Sequence, residues 1–121
     1  MKLNDLLTAF NAVAPEQLAE GWDKVGLHTG STEQDVSAGL LCIDLTHTVI
    51  DEALAKQCEL IVAYHPPIFA PLQRLTDEGP WSQTRVVRCV REGLAVYSPH
   101  TALDAVRGGM TTGFVKGWAW A

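Results

Sequence analysis

An apolar run that ends in a histidine and two prolines, residues 60–67, is the feature that most constrains the fold. Its first four residues are all apolar, which is typical of a strand buried on both faces of a sheet. Pro66 and Pro67 cannot donate to a β-ladder, and Pro66 restricts His65 to extended backbone. The strand must therefore end at His65. Ligands of open α/β sheets bind at the carboxyl ends of the strands, so His65 is a candidate binding residue.

Two other segments predict strands that pair with this one, whose core lies near residues 59–64. Residues 39–45 form an apolar run that predicts a buried strand, and residues 94–98 form another that Pro99 ends. Short connections between strand, helix and strand imply right-handed crossovers and parallel strands.

Helical periodicity and capping signals place helices between and before these strands. Residues 3–13 carry leucines at amphipathic spacing. Thr48 begins a predicted capping box, and Gly93 suits the position after a helix over residues 81–91. The pattern predicts one three-layer α/β domain over residues 1–121, a mostly parallel sheet flanked by helices.

Charge and composition exclude several classes of function. The net charge is −5 without a cluster of lysines and arginines, which argues against nucleic-acid binding. A polar start and the lack of a long apolar run predict neither a signal peptide nor a membrane span. The three cysteines lack Cys-x-x-Cys spacing and are expected to be small buried residues in a reducing compartment, so we expect a cytoplasmic protein.

The glycine-flanked segment 21–27 allows two interpretations. It is a turn that places Trp22 and Leu27 in the core, or a polar loop in which Asp23 and Lys24 border a site. The first interpretation is favoured from this stretch alone.

Two strands of the predicted sheet are followed by histidines, His65 and His100, and Asp104 comes four residues after the second. Parallel strands put their carboxyl ends at one edge, so the three side chains are expected to converge. Two imidazoles and a carboxylate are a partial ligand set for Zn, Fe or Mn. The alternative is that each histidine caps a strand and Asp104 caps a turn. His28 and His47 are weaker candidates.

Four stretches together resemble the NIF-three-like family, also called GTP cyclohydrolase I type 2 homologues. They are Gly-Trp-Asp-Lys-Val-Gly-Leu at 21–27, Cys-Ile-Asp-Leu-Thr at 42–46, Ala-Tyr-His-Pro-Pro-Ile-Phe at 63–69, and Tyr-Ser-Pro-His-Thr-Ala-Leu-Asp at 97–104. Gly108-Gly109 follows the last. Order and spacing agree over roughly residues 1–110.

The resemblance implies an α/β fold, a site for two divalent metal ions and assembly into rings, typically hexamers. It implies that His65 and Asp104 are metal ligands and that His100 lies in or beside the site. Tyr64, Asp23 and Asp44 are expected to contact the ligands or face the substrate. Many members carry His-His before the proline, where this chain has Tyr64.

The family's remaining ligands, a histidine and a glutamate, lie in a C-terminal half. The 121 residues are therefore expected to hold part of the ligand set. The resemblance implies a metal-dependent hydrolase acting on a small molecule or nucleotide. The alternative is a non-catalytic module that lacks a complete metal site, binds metal weakly or not at all, and oligomerises through its sheet edge or through the apolar tail that carries Trp118 and Trp120.

Overall fold

The computed structural model describes residues 1–106, which form a four-stranded sheet with helices on both faces. The tail with Trp118 and Trp120 lies outside the described residues. In chain order the helices and strands are α1 (Leu3–Val13), β1 (Gly26–Thr29), β2 (Gly39–Cys42), α2 (His47–Ala55), β3 (Leu60–Ala63), α3 (Trp81–Arg91), β4 (Ala95–Ser98) and α4 (His100–Ala105). A short 3-10 turn, Glu16–Leu18, follows α1.

The strand order is β1-β4-β3-β2, and the predicted mostly parallel sheet is confirmed. β2 pairs with β3 in parallel, as does β3 with β4. β1 was not predicted; it runs antiparallel to β4 at the edge, with a register shift between Leu27 and Thr29. The three parallel strands therefore direct their carboxyl ends to the same side of the molecule.

Alternating residues of the central strands belong to two separate hydrophobic clusters, one on each face of the sheet. Ile61 and Val96 face α2 and α3, and they pack with Ile50 and Cys89. Leu60 and Tyr97 point to the opposite face, where Leu3 of α1 covers them. Side chains alternate between the faces of a strand, so runs apolar at every position are buried on both sides. The three-layer prediction is thus confirmed by the packing.

The prediction of a buried strand over residues 39–45 is wrong in two respects. β2 ends at Cys42, and as an edge strand it leaves Leu41 78% exposed. Ile43, beyond the strand, is 55% exposed. The apolar composition resembled that of the central strands, but no element among residues 1–106 covers this part of the sheet.

Helix boundaries follow the sequence signals closely at α3 and less so at α2. α3 spans the predicted residues, and Gly93 follows it with φ of 70°, a conformation that glycine adopts without steric cost. α2 begins at His47 instead of Thr48, because Thr46 is the capping residue and its side chain accepts a hydrogen bond from the Val49 N–H.

The expectation that Trp22 lies in the core is wrong: its side chain is 62% exposed. Leu27 packs against the α1-side cluster as expected. Cys58 and Cys89 are buried, whereas Cys42 is half-buried; burial raises the pKa of the Cys42 and Cys89 thiols to about 11. No helix within residues 1–106 is long and apolar enough to cross a membrane.

Candidate functional site

The candidate site lies at the carboxyl ends of the parallel strands, where short loops present polar side chains. Asp44 follows β2, His65 follows β3, and His100 begins the helix after β4. Asp104 lies one helical turn beyond His100, a spacing that puts both residues on one face of α4. Asp23 reaches the same edge from the loop before β1.

His65 is held at both its backbone and its side chain. Its N–H donates to the carbonyl of Ile43, 2.9 Å away, which continues the β2–β3 pairing past the ends of the strands. Its Nδ1 donates to Oδ1 of Asp44 at 2.6 Å. A carboxylate accepts only, so the Nδ1 proton faces Asp44 and the Nε2 lone pair of the neutral ring is directed away from it.

His100 is fixed more tightly than His65. Its φ of 30° is unusual for a residue with a side chain, and such strain persists only where neighbours enforce it. Asp23 is that neighbour: its Oδ2 accepts from Nδ1 of His100 at 2.9 Å, from the Thr101 N–H at 3.2 Å and from the Thr101 hydroxyl at 2.6 Å. The Asp23 side chain is only 1% exposed.

The electrostatics of Asp23 follow from these contacts. Burial by itself raises the pKa of Asp23, but the hydrogen bonds from Thr101 and His100 outweigh burial and lower it. Asp23 therefore stays ionised, and the Nδ1–H of His100 has a permanent acceptor. Nε2 of His100, like that of His65, forms no hydrogen bond to residues 1–106.

Asp104 and Tyr64 form the third pair of the site. The Tyr64 hydroxyl donates to Oδ1 of Asp104 at 2.5 Å. Burial, reinforced by this hydrogen bond, raises the pKa of Tyr64, so the phenol keeps its proton at neutral pH. Tyr64 consequently acts as a donor that orients the carboxylate of Asp104 and leaves Oδ2 of that group for another partner.

The rings of His65, His100 and Tyr64 pack against one another in edge-to-face or tilted geometry. The ring centroid of His65 lies 5.7 Å from that of His100, and the Tyr64 ring lies 5.0 Å from His65 and 5.5 Å from His100. Two imidazoles arranged tetrahedrally around one ion, with nitrogen–metal bonds near 2 Å, have ring centres about 5 Å apart. The 5.7 Å separation of the two histidine rings is close to that value.

The described residues do not form a finished metal site. Within residues 1–106, no group of three or more His, Cys, Asp or Glu side chains is arranged to hold a metal ion. His65, His100 and Asp104 share one edge of the sheet, as the sequence predicts, but their donor atoms do not converge on one point.

Two exposed aromatic side chains flank this cluster. The Trp22 ring lies 6.3 Å from His100 and 5.9 Å from Phe69, and Phe69 is 70% exposed. The interpretation favoured from the sequence placed Trp22 in the core, while the alternative had Asp23 and Lys24 border a site; Phe69 was given no role. Trp22 is followed in the sequence by two polar residues, Asp23 and Lys24, and this is the pattern that favours a loop at a site.

The sequence matches a known protein family: the family model for DUF34/NIF3 (NGG1p interacting factor 3) matches residues 1–118. The chain belongs to the DUF34/NIF3 family. It is 42% identical to mouse NIF3-like protein 1 over 118 residues, which cover 97% of this chain and 31% of that protein. It is 34% identical to the Clostridium perfringens GTP cyclohydrolase 1 type 2 homolog, over 96% of this chain and 44% of the relative.

Solved structures agree with this assignment. The crystal structure of a Bacillus cereus protein related to NIF3 superposes with a TM-score of 0.84 at 30% identity, over 90% of this chain and 30% of that one. The chain therefore spans between about a third and a half of the length of these NIF3 relatives. The resemblance seen in the sequence motifs is confirmed.

The weaker histidine candidates lie outside the cluster. His28 is in β1, where its Nε2 contacts the carbonyl of Lys24, and burial lowers its pKa. His47 is at the start of α2, beside Arg88 and Thr84. In this NIF3 domain, the edge at the carboxyl ends of β2, β3 and β4 is the place where histidines and carboxylates meet.

Proposed function

We propose that this NIF3 domain binds a divalent metal ion, Zn, Fe or Mn, through His65, His100 and Asp104 and is the metal-binding part of a metal-dependent hydrolase. One observation carries the proposal: each imidazole is fixed through Nδ1 by its own carboxylate. His65 pairs with Asp44 and His100 with Asp23. Metal-binding histidines usually carry such a partner, because it fixes the tautomer and raises the basicity of Nε2.

Each side chain at this edge would have a separate role in binding the metal ion. His65 and His100 would supply nitrogen ligands, and Asp104 would supply Oδ2 while Tyr64 holds Oδ1. Trp22 and Phe69 would offer an exposed aromatic surface beside this edge to the apolar part of a substrate. A bound divalent ion would act as a Lewis acid and generate a nucleophile from water at neutral pH.

Metal binding by matched histidine variants tests the proposal. The chain is stripped with EDTA and titrated with Zn²⁺ or Mn²⁺ by calorimetry. We expect His65→Ala to weaken binding by about 100-fold or more, because one of three ligands is lost. His47→Ala removes an imidazole outside the cluster and is expected to bind metal like the wild type.

Hydrolysis of a phosphodiester panel with added Mn²⁺ provides the second readout. The described ligands are few, so we expect slow turnover, and Asp104→Ala is expected to abolish it. Equal metal affinity in wild type and His65→Ala contradicts the metal assignment. Turnover that survives in Asp104→Ala contradicts the hydrolase assignment.

A second function, self-association, is favoured by the edge strand β2. This strand has no neighbour on its outer side within the described part of the chain, and it exposes Leu41, with Ile43 just beyond it. An unpaired apolar edge is a template for pairing with another chain. We propose that a second copy pairs here, as one contact of the ring that the family resemblance implies.

Light scattering of matched lysine variants tests the edge. Leu41→Lys is expected to lower the molar mass at micromolar concentration, because a charge at an apolar edge blocks strand pairing. Val90→Lys alters an exposed apolar residue of α3 and is expected to leave the mass unchanged. Identical masses for wild type and Leu41→Lys contradict pairing at β2.

A further inference from the structure

A second concave site lies directly beside the histidine cluster. The two prolines after His65 begin its wall, which continues along the loop to the first turns of α3, and this open cleft has a volume of about 700 Å³. Cavities of about 300–1,000 Å³ are the usual size for small-molecule sites. The residues of this cavity that matter for its chemistry are Pro66, Pro67, Phe69, Arg74, Gln83 and Arg85.

The charge of this cavity is opposite to that of the protein. Arg74 and Arg85 line it, and none of the described residues that line it is acidic. The chain as a whole has a net charge of −5. Two guanidinium groups gathered in one cavity of an acidic protein favour an anionic ligand, since guanidinium forks match phosphate oxygens.

Arg85 is held in place on one side and open on the other. Its Nε donates to the carbonyl of Trp81 at 3.1 Å, its Nη1 donates to the carbonyl of Leu45, and its guanidinium lies 5.7 Å from the Trp81 ring centroid. Its Nη2 has no hydrogen-bond partner among residues 1–106. The side chain is therefore preorganised, with donors left for a ligand.

Arg74 is exposed on the facing loop and forms no ion pair to another residue of the range 1–106. Buried Gln83 ties this loop to α3: its side-chain amide donates to the carbonyl of Thr76 at 3.1 Å and to that of Glu78 at 2.9 Å. The loop that carries Arg74 is thus anchored near Arg85.

A short chain of contacts connects this cavity to the histidine cluster. Arg85 binds the carbonyl of Leu45, the neighbour of Asp44, and Asp44 accepts from His65. Partial burial lowers the pKa of Arg85, and the charge of Asp44 opposes that shift, so the two side chains are within electrostatic reach. The cavity that Arg85 lines therefore adjoins the edge of the sheet that carries His65, since Pro66, the next residue, also lines it.

We propose that this cavity binds the phosphate group of a phosphorylated small-molecule substrate, with Arg74 and Arg85 as its donors. The inference rests on the proposed function, because it assigns the substrate class of the reaction at the adjacent histidine cluster. Two guanidinium charges balance a phosphate dianion. The volume beyond the phosphate accommodates the organic part of the molecule, against Phe69 and the prolines.

Titration of inorganic phosphate into the EDTA-treated 121-residue chain tests the phosphate site without any metal. Binding is followed by amide chemical shifts at constant ionic strength. We expect shifts at residues 66–85 that saturate with phosphate and not with acetate. Arg74→Gln is expected to weaken binding by about tenfold, the usual effect of losing one charge-assisted hydrogen bond. Arg85→Lys keeps the charge but loses the fork, and we expect a weakening of about threefold.

Two controls separate this site from the metal site and from bulk charge. Arg91→Gln removes an exposed arginine of the same helix that lies outside the cavity, and it is expected to bind phosphate like the wild type. His65→Ala is also expected to bind phosphate like the wild type under EDTA. If the protein binds phosphate but does not bind metal in the separate titration, the proposed function is refuted and this site is supported. If it binds metal but not phosphate, only this site is refuted.

Three outcomes overturn the proposal. The first is that acetate binds as tightly as phosphate. The second is that Arg74→Gln and Arg85→Lys, folded by circular dichroism, both bind phosphate like the wild type. The third is that Arg91→Gln weakens binding as much as Arg74→Gln does, which would indicate attraction by bulk charge.

Discussion

Carboxylates hold both ends of the sheet, and they are used differently at each end. At the amino end, Glu59 stands just before β3 and its side chain accepts three hydrogen bonds. The Ser37 hydroxyl donates at 2.7 Å, and the N–H groups of Ser37 and Ala38 donate at 3.0 and 3.1 Å. These donors come from the segment that leads into β2, so Glu59 fastens two neighbouring strands together.

At the carboxyl end, three aspartates accept from side chains that carry chemistry of their own. Asp44 and Asp23 accept from imidazoles, and Asp104 accepts from the phenol of Tyr64. Each of these contacts orients a ring or a carboxylate and leaves its opposite side free to bind another group. The carboxylate at the amino end links two strands, whereas those at the carboxyl end orient side chains that can still bind another group.

The comparison teaches that residue type does not separate a structural carboxylate from a functional one. The two kinds are separated by whether the donor group has a second polar atom that is free to bind something else. The donors to Glu59 are backbone and hydroxyl groups only, whereas Asp23 and Asp44 each accept from an imidazole that has a second nitrogen, in addition to the Thr101 groups that donate to Asp23. The substitutions below test whether the two ends of the sheet respond differently.

The largest expected effect on stability is that of Asp23→Ala. Its side chain is 1% exposed, and the change leaves the Thr101 hydroxyl, the Thr101 N–H and the His100 ring without their acceptor. Unsatisfied buried donors cost about 1–3 kcal/mol each, partly relieved by water, so we expect a loss of about 2–3 kcal/mol in the free energy of unfolding. Urea denaturation at pH 7 measures it.

Asp44→Ala is the matched control for that substitution, because Asp44 also accepts from an imidazole but is 61% exposed. Water replaces an exposed acceptor at little cost, so we expect a change within about 0.5 kcal/mol. Equal losses for both variants would show that the two carboxylates are equivalent and that the buried one does not enforce the backbone of His100.

A smaller effect is expected for metal binding in Asp44→Asn. The amide keeps the size of the side chain but removes the charge that fixes the His65 tautomer. Loss of such a partner usually lowers metal affinity by 10–100-fold, and exposure of this pair favours the lower value, about tenfold. Calorimetric titration with Zn²⁺ measures it.

Glu59→Gln is the reference for that titration, since Glu59 lies at the other end of the strands. We expect its metal affinity to equal that of the wild type. If Asp44→Asn also binds Zn²⁺ like the wild type, metal binding by His65 does not depend on Asp44. The carboxylates at the two ends of the sheet would then not differ in their effect on metal binding.

The sequence predicts the parts of this fold that depend on local pattern. The apolar runs ending at His65 and Ser98 place two central strands, and the glycine after α3 places a helix end. Sheet order and edges depend on long-range pairing, which composition does not contain. β2 was therefore predicted as buried although Leu41 is exposed, and β1 was missed because its four residues lie in a glycine-rich loop.

The candidate site was predictable for the same reason and to the same extent. His65 and His100 come together because parallel strands end at one edge, which is a topological fact that the sequence supports. Trp22 was misplaced because a large aromatic residue is usually buried, and only its neighbours' polarity argues otherwise. The cavity lined by Arg85 is formed by a loop folding back onto α3, a long-range arrangement that the sequence around Arg85 does not contain.

The smallest expected effect is that of Glu59→Gln on stability, and its dependence on pH identifies its cause. Hydrogen bonds from the Ser37 side chain and from the Ser37 and Ala38 N–H groups lower the pKa of Glu59 to about 2, from an ordinary value of 4.5. A carboxyl whose pKa is lower in the folded state stabilises that state above its unfolded pKa, and the contribution disappears as pH falls toward the folded pKa.

Wild type should therefore be more stable than Glu59→Gln at pH 7, by less than about 1 kcal/mol because solvent screens a group this exposed. The difference should shrink from about pH 5 downward, which urea denaturation at pH 7, 4.5 and 3 measures. Glu33→Gln is the control, since the carboxylate of Glu33 accepts no hydrogen bond from residues 1–106, and it should be neutral throughout. A difference that stays constant as pH falls would mean that Glu59 stabilises the fold by packing, and the contrast with the aspartates at the other end would then rest on shape instead of charge.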